Sequence, residues 1–188
     1  MATFPSINPT YGMRKTSSPK VKVSQLGDGY EFRALYGLPL TQAPKVYDLT
    51  FIVSETEADV IEGFLRSRVA DQASFTFTPP AEGFTKTGTY SQTDTTVTIT
   101  ITQHGVAIGD VLTIDYTSGS ATDGTFTVSN VTSDDVFTVT AASSASNSGN
   151  VSITLSGAGQ FVCDSWVKTI PYNNRATINC TFREVFEP

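Results

Sequence analysis

The chain has 188 residues, enough for one domain or two small ones. Hydrophobic residues make up 39% and charged residues 16%, which argues against disorder, since disorder pairs low hydrophobicity with high charge. The net charge of −6 repels phosphates. It argues against general binding to free nucleic acid and leaves room for DNA passing nearby.

Residues 1–16 are polar, carry Pro5 and Pro9, and lack an apolar run of signal-peptide length. No run of about 20 apolar residues occurs anywhere, so no membrane insertion is expected. The start reads as an extended arm of the kind that a partner orders. Val21-Lys22-Val23-Ser24-Gln25-Leu26 alternates apolar and polar residues as a strand does. Gly27-Asp28-Gly29 follows as a turn, because glycine accepts positive φ. Tyr30-Glu31-Phe32-Arg33-Ala34-Leu35-Tyr36 then alternates again, which predicts a hairpin ended by Gly37-Leu38-Pro39.

Residues 45–53 (KVYDLTFIV) predict a third strand that runs into a helix at about 55–69. Ser54 is a natural N-cap, and Glu57 three residues on completes a capping box. Ala58, Ile61, Phe64, Leu65 and Val69 recur at helical spacing and predict a buried stripe. Acids load the start of this helix and Arg66 and Arg68 its end, matching the helix dipole. Residues 73–78 (ASFTFT) form a short strand stopped by Pro79-Pro80.

Composition then changes abruptly. From about 85 to 156 the chain is nearly all Thr, Ser, Val, Asp and Gly, with one base, Lys86, against six acids. The flanking parts hold the other 11 bases and 12 acids. Residues 96–102, 110–116, 124–129, 135–140 and 150–155 alternate at period two, and 89–92 adds a sixth candidate. Gly and Asp turns separate them, which suggests a small barrel or sandwich. The expected organisation is one mainly β domain with one helix, made of 1–84 and 157–188, interrupted by an all-β module at 85–156.

Residues 160–166 (QFVCDSW) and 177–186 (TINCTFREVF) close the outer domain as two strands. Trp166 reads as buried packing. Without a secretion signal, Cys163 and Cys180 default to free buried thiols. Their midpoint falls on the turn near 171–174, so a disulfide across the hairpin stays open as the alternative.

No catalytic constellation is visible. His104, the single histidine, precedes Gly105 and reads as a solvent-facing or turn-capping residue. Two cysteines cannot form a four-cysteine zinc site. Asp110, Asp115, Asp123, Asp134 and Asp135 follow no calcium-loop pattern and read as turn residues. Gly27-Asp28-Gly29 joins two strands and opens no helix, so it is no phosphate loop. No enzyme activity, metal or cofactor is expected.

The outer motifs carry a resemblance. Gly27-Asp28-Gly29-Tyr30 with Arg33, then Gly37-Leu38, come first. Leu49-Thr50-Phe51, Glu57-Ala58 and Ile61-Glu62-Gly63-Phe64-Leu65 follow. Ser74-Phe75-Thr76-Phe77-Thr78-Pro79-Pro80, the stretch 161–166 and the stretch 181–187 complete the order. Together they resemble the phage minor tail protein M family of lambda-like tails. The long insertion after Pro80 departs from that pattern, where members carry a short loop. The insertion itself, through His104-Gly105, Gly109-Asp110 and 123–128, resembles small β modules of phage structural proteins. It is also similar, in fold only, to a half-domain of ubiquitin-activating enzymes, and fold alone does not carry function.

The resemblance implies a tail-tube-like fold of two packed sheets with one flanking helix. It implies a homo-oligomeric ring, a hexamer, at the distal end of the tail tube, in contact with the tube protein and with hub or baseplate proteins, and crossed by DNA without specific binding. The place would be the virion tail, reached after assembly in the host cytoplasm. The candidate interface residues are Thr3, Phe4, Pro5 and Tyr11 of the arm and Gly27, Asp28, Gly29 and Tyr30 of the hairpin tip. The insertion is expected on the outer wall, because about 70 residues per subunit would block a channel. A conduit wall should be neutral or acidic, and Lys20, Lys22, Arg33 and Lys45 are the bases that would contradict this if they lined it together. The alternative is a tail decoration or host-surface glycan-binding protein acting through the insertion. Of its aromatics, Tyr90, Tyr116, Phe126 and Phe137, most should be core. A sugar-degrading enzyme would need paired carboxylates in a cleft, whereas these acids lie in turns.

Overall fold

The computed structural model describes residues 1–35 and 41–187. The predicted hairpin end at Gly37-Leu38-Pro39 lies outside them. The chain divides into two compact units, Met1–Pro80 with Ala158–Pro188, and Ala81–Gly157.

The first unit is built on a six-stranded sheet. Its strands are β1 (Ala2–Thr3), β2 (Arg14–Ser17), β5 (Lys45–Val53), β6 (Phe75–Phe77), β11 (Gly159–Tyr172) and β12 (Arg175–Glu184). A separate two-stranded sheet is formed by β3 (Val21–Gln25) and β4 (Glu31–Leu35). The large sheet runs β1-β6-β11-β12-β5-β2. β1 is parallel to β6, and the other neighbours are antiparallel. Alternation decides the faces. Tyr47, Leu49, Phe51 and Val53 of β5 and Ala176, Ile178, Cys180 and Phe182 of β12 point into the core. The opposite face carries polar pairs: Thr50 donates to Asn179 at 2.8 Å and Thr181 to Asp48 at 3.0 Å.

Helix α1 (Glu55–Asp71) covers the core face with Ala58, Ile61 and Leu65. The capping box is present: Glu57 N–H donates to Ser54 Oγ at 3.3 Å, and Ser54 N–H donates to Glu57 Oε2 at 2.9 Å. The apolar stripe is shorter than its spacing suggests. Phe64 is only half-buried against the core and Val69 is 48% exposed. Trp166 is half-buried against the same core.

The core is dominated by edge-on phenylalanines. Phe182 meets Phe75 at 5.0 Å and Phe77 at 5.2 Å between ring centroids, within the range where aromatic pairs gain beyond their area. β6 and β11 are hydrogen-bonded neighbours, with Phe77 opposite Gly159. The second unit is therefore inserted where two adjacent antiparallel strands would otherwise be joined by a short loop.

The second unit holds β7 (Phe84–Thr100), β8 (Val111–Asp115), β9 (Gly124–Ser133) and β10 (Val136–Leu155). β10 pairs with β7 along its length, with β9 near its start and with β8 near its end, and β8 pairs with β9. The result is a small sheet closed on itself around Val97, Ile99, Leu112, Ile114, Phe137 and Ile153. Two predicted pairs of short strands are each one long strand. The stretch 141–149, left between two predicted strands, is continuous β10. Its glycine serves packing: a Cβ on Gly149 would lie 2.3 Å from the Ser118 carbonyl oxygen. A Cβ on Gly88 would likewise lie 2.2 Å from the Thr100 carbonyl oxygen. Glycine in a strand here marks close backbone approach.

Candidate assembly surface

The β3–β4 hairpin is the least self-sufficient part of the first unit. Val21 lies opposite Leu35 and Val23 opposite Arg33 on one face, and Ser24 lies opposite Phe32 on the other. Val21 and Val23 are each 48% exposed and Phe32 is 63% exposed. Leu26 and Tyr30 at the tip are exposed as well. The tip is closed by the Gly29 N–H, which donates to the Leu26 carbonyl at 3.0 Å. Gly29 has φ +80, a conformation that favours glycine. An isolated two-stranded hairpin is at best marginal in water. This one also shows apolar side chains on both faces.

The arm behaves differently from its prediction. It does not wait for a partner. Ala2 and Thr3 pair with Phe75 and Thr76 of β6, and the Phe4 N–H donates to the Thr76 carbonyl at 2.9 Å. The Phe4 ring is 5% exposed and meets Phe51, Phe75, Phe77 and Phe182. Phe4 is thus a core residue of its own unit rather than an accessible interface side chain, because pairing with β6 turns its ring inward. Thr10 then donates to the Thr50 carbonyl, and β2 joins β5. The arm therefore ties both edges of the sheet, leaving only short edge strands. Of the arm candidates, Tyr11 stands fully in solvent, Pro5 is half-buried, and Thr3 keeps an exposed side chain on a paired backbone. Gly27, Asp28, Gly29 and Tyr30 are exposed together at the hairpin tip.

Hairpin pairing also separates the bases. Lys22 lies opposite Ala34 on one face while Arg33 lies on the other. Arg33 is paired with Glu31 at 2.7 Å. Lys45 belongs to the large sheet, where its backbone N–H donates to Glu184 Oε2.

The other residues singled out from sequence hold the fold. His104 is 2% exposed, a correction to a solvent-facing reading. Its Nδ1 accepts from the Val106 N–H at 3.0 Å, which makes Nε2 the protonated nitrogen, and Nε2 donates to the Ser133 carbonyl at 2.9 Å. The turn-capping half of the expectation stands. Asp110, Asp123 and Asp135 accept from the N–H groups of Ala107, Tyr116 and Gln103, the work of turn residues. Among the described residues no group of three or more His, Cys, Asp or Glu side chains is arranged to hold a metal.

Cys163 and Cys180 are free thiols. They do not sit directly opposite one another, since a bulge at Asp164 sets Cys163 against Phe182 and Cys180 against Trp166. The Cys163 thiol donates to the Ser165 carbonyl at 3.3 Å. The neighbouring Cys180 side chain pulls Cys163 below the usual thiol range, while Cys163 and then burial push Cys180 well above it. Sequence spacing brought the two together; only the bulge explains how. What the sequence did not reveal was the core role of Phe4, which it offered as an interface candidate.

No protein-family model matches the chain. It is similar to Tail tip protein M of Escherichia phage lambda, 41% identical over 71 residues. That stretch is 38% of this chain and spans 62% of the relative's length. The match bears out the resemblance to a phage minor tail protein family carried by the outer motifs.

Proposed function

We propose that the chain is a structural, non-enzymatic protein of a bacteriophage tail. Copies close into a ring, six in number by resemblance, at the distal end of the tail tube. The ring joins the tube protein to hub or baseplate proteins and lets DNA through. Its place is the virion, after assembly in the host cytoplasm. The observation that carries this reading is the free-standing β3–β4 hairpin with Val21, Val23 and Phe32 exposed. Heterologous contacts between neighbours close cyclically, so each hairpin can be covered by the next subunit. The tail tip relative supports the same place in the particle.

The separation of Lys22 from Arg33 across the hairpin favours a channel without a continuous basic stripe. Each neutralised phosphate would slow passage. Electron microscopy and mass measurement of the purified protein at rising concentration test the reading. Closed rings are expected, and Val23→Asp with Phe32→Asp should hold the chain monomeric with unchanged circular dichroism. A monomer at every concentration, or rings that survive the double substitution, would overturn it. Filter binding should show no micromolar affinity for duplex DNA at physiological salt, and tight salt-dependent binding would remove the conduit from the proposal.

A further inference from the structure

Cys163 and Cys180 stand on β11 and β12, both on the core side of the sheet. Cys163 lies opposite Phe182, and directly opposed residues of an antiparallel pair share a face. Cys180 precedes Phe182 on that same face, which makes it the diagonal neighbour of Cys163. On a regular ladder such neighbours stand about 7–8 Å apart at Cα, at the limit of what a disulfide spans. The ladder is not regular here. The bulge at Asp164 falls between the two positions, and a bulge bends and twists its strand. The two side chains interact directly, each being the first cause of the other's altered ionisation.

Their surroundings differ. Cys180 is 5% exposed among the core side chains. Cys163 is half-buried and lines an open concavity of about 210 Å³ beside the end of α1. Arg68 and Arg183 line it too, with Asp164 as the one acid. Ion pairs hold both guanidiniums in place, Arg68 to Asp71 at 2.7 Å and Arg183 to Asp164 at 2.9 Å. An accessible thiol beside bases, with its ionisation eased, is the setting of a reactive cysteine.

We propose that Cys163 and Cys180 form a thiol–disulfide exchange site, in which Cys163 attacks a small anionic disulfide and Cys180 resolves the product to an internal cross-link. Cys163 gives its proton to solvent and attacks one sulfur of the reagent as the thiolate. A new S–S bond forms, the old one breaks, and half of the reagent leaves as a thiolate that takes up a proton. Cys180 then gives up its proton, and its sulfur attacks Cys163 Sγ and expels the other half as a second thiol. Two protein thiols are oxidised, and one disulfide is reduced to two thiols. The pair sets the order of events. The push on Cys180 comes first from Cys163, so capping Cys163 leaves burial alone to hold Cys180 protonated. The exchange concerns the first unit and is independent of ring assembly. On the tail reading proposed above, it would follow release of the particle from the reducing cytoplasm.

Incubation of the full chain with glutathione disulfide at neutral pH tests it, read by intact mass and peptide mapping, with circular dichroism as the check that the fold persists. The unsubstituted chain should become lighter by the two thiol hydrogens and yield one cross-linked peptide pair joining Cys163 to Cys180. Cys180→Ala should stop at a mixed disulfide on Cys163. In Cys163→Ala, Cys180 should react at least about tenfold more slowly than Cys163 does in Cys180→Ala. Thiols that stay unreacted in the folded chain, a mixed disulfide that is never resolved, a bond between two chains, or a Cys180 as reactive as Cys163 would each overturn the proposal. Mapping of the unsubstituted chain decides the matter even where a variant fails to fold.

Discussion

The two units solve the problem of a small β core in opposite ways. In the first, Phe4, Phe51, Phe75, Phe77, Phe161 and Phe182 come from five separate stretches and pack into one core under one helix. In the second, mostly Val, Ile and Leu side chains, with Phe137, Tyr90 and Tyr116, come from one continuous stretch and fill a sheet that closes on itself. The first unit leaves Val21, Val23, Leu26, Tyr30 and Phe32 in solvent on a hairpin. The second exposes only Ile108 and Val111 among its large apolar residues. A unit that satisfies itself can be placed in a loop without disturbing its host. A unit that keeps apolar strands uncovered leaves surface that a neighbour could cover, which is the basis of the assembly proposal.

The severest way to break this comparison is excision. Because Phe77 already faces Gly159, replacing residues 86–155 by a short Gly/Ser link should leave a cooperatively unfolding protein. Circular dichroism melts check this, and a non-cooperative melt would show that the first unit depends on its insert. Next come the cores. Phe182→Ala and Phe137→Ala, both fully buried, should each cost about 3–5 kcal/mol. Calorimetry should place the two losses in different transitions. A shared shift would mean that the units unfold as one.

Gly149→Val should cost about 1–3 kcal/mol by overpacking against Ser118, in the second unit's transition alone. The smallest effect belongs to the helix start, where Ser54→Ala should cost about 1 kcal/mol and act only on the first unit. Acid sharpens the same point. Hydrogen bonds from the Ser54 side chain and then its backbone hold Glu57 below its ordinary value of 4.5. A carboxylate depressed in the fold contributes stability above that ordinary value and loses it as pH falls through the lower, folded one. In Ser54→Ala the acid limb of stability against pH should therefore flatten. An unchanged limb would assign acid sensitivity elsewhere.

Local pattern carried the elements whose cause is local. The span of β5, the Ser54–Glu57 box and the hairpin around Gly27-Asp28-Gly29 are legible because turn chemistry, caps and alternation act over a few residues. Alternation also records which side of a strand is buried. It does not record which strand lies alongside, and several departures from expectation have that origin. Asn147-Ser148-Gly149-Asn150 carries turn residues, yet Gly149 is there so that the Ser118 backbone can approach. The arm reads as polar, yet pairing with β6 turns Phe4 into the core. Cys163 and Cys180 meet through a bulge. Close approach and ladder partners arise between residues far apart in the chain, so they exist only once the strands are assembled.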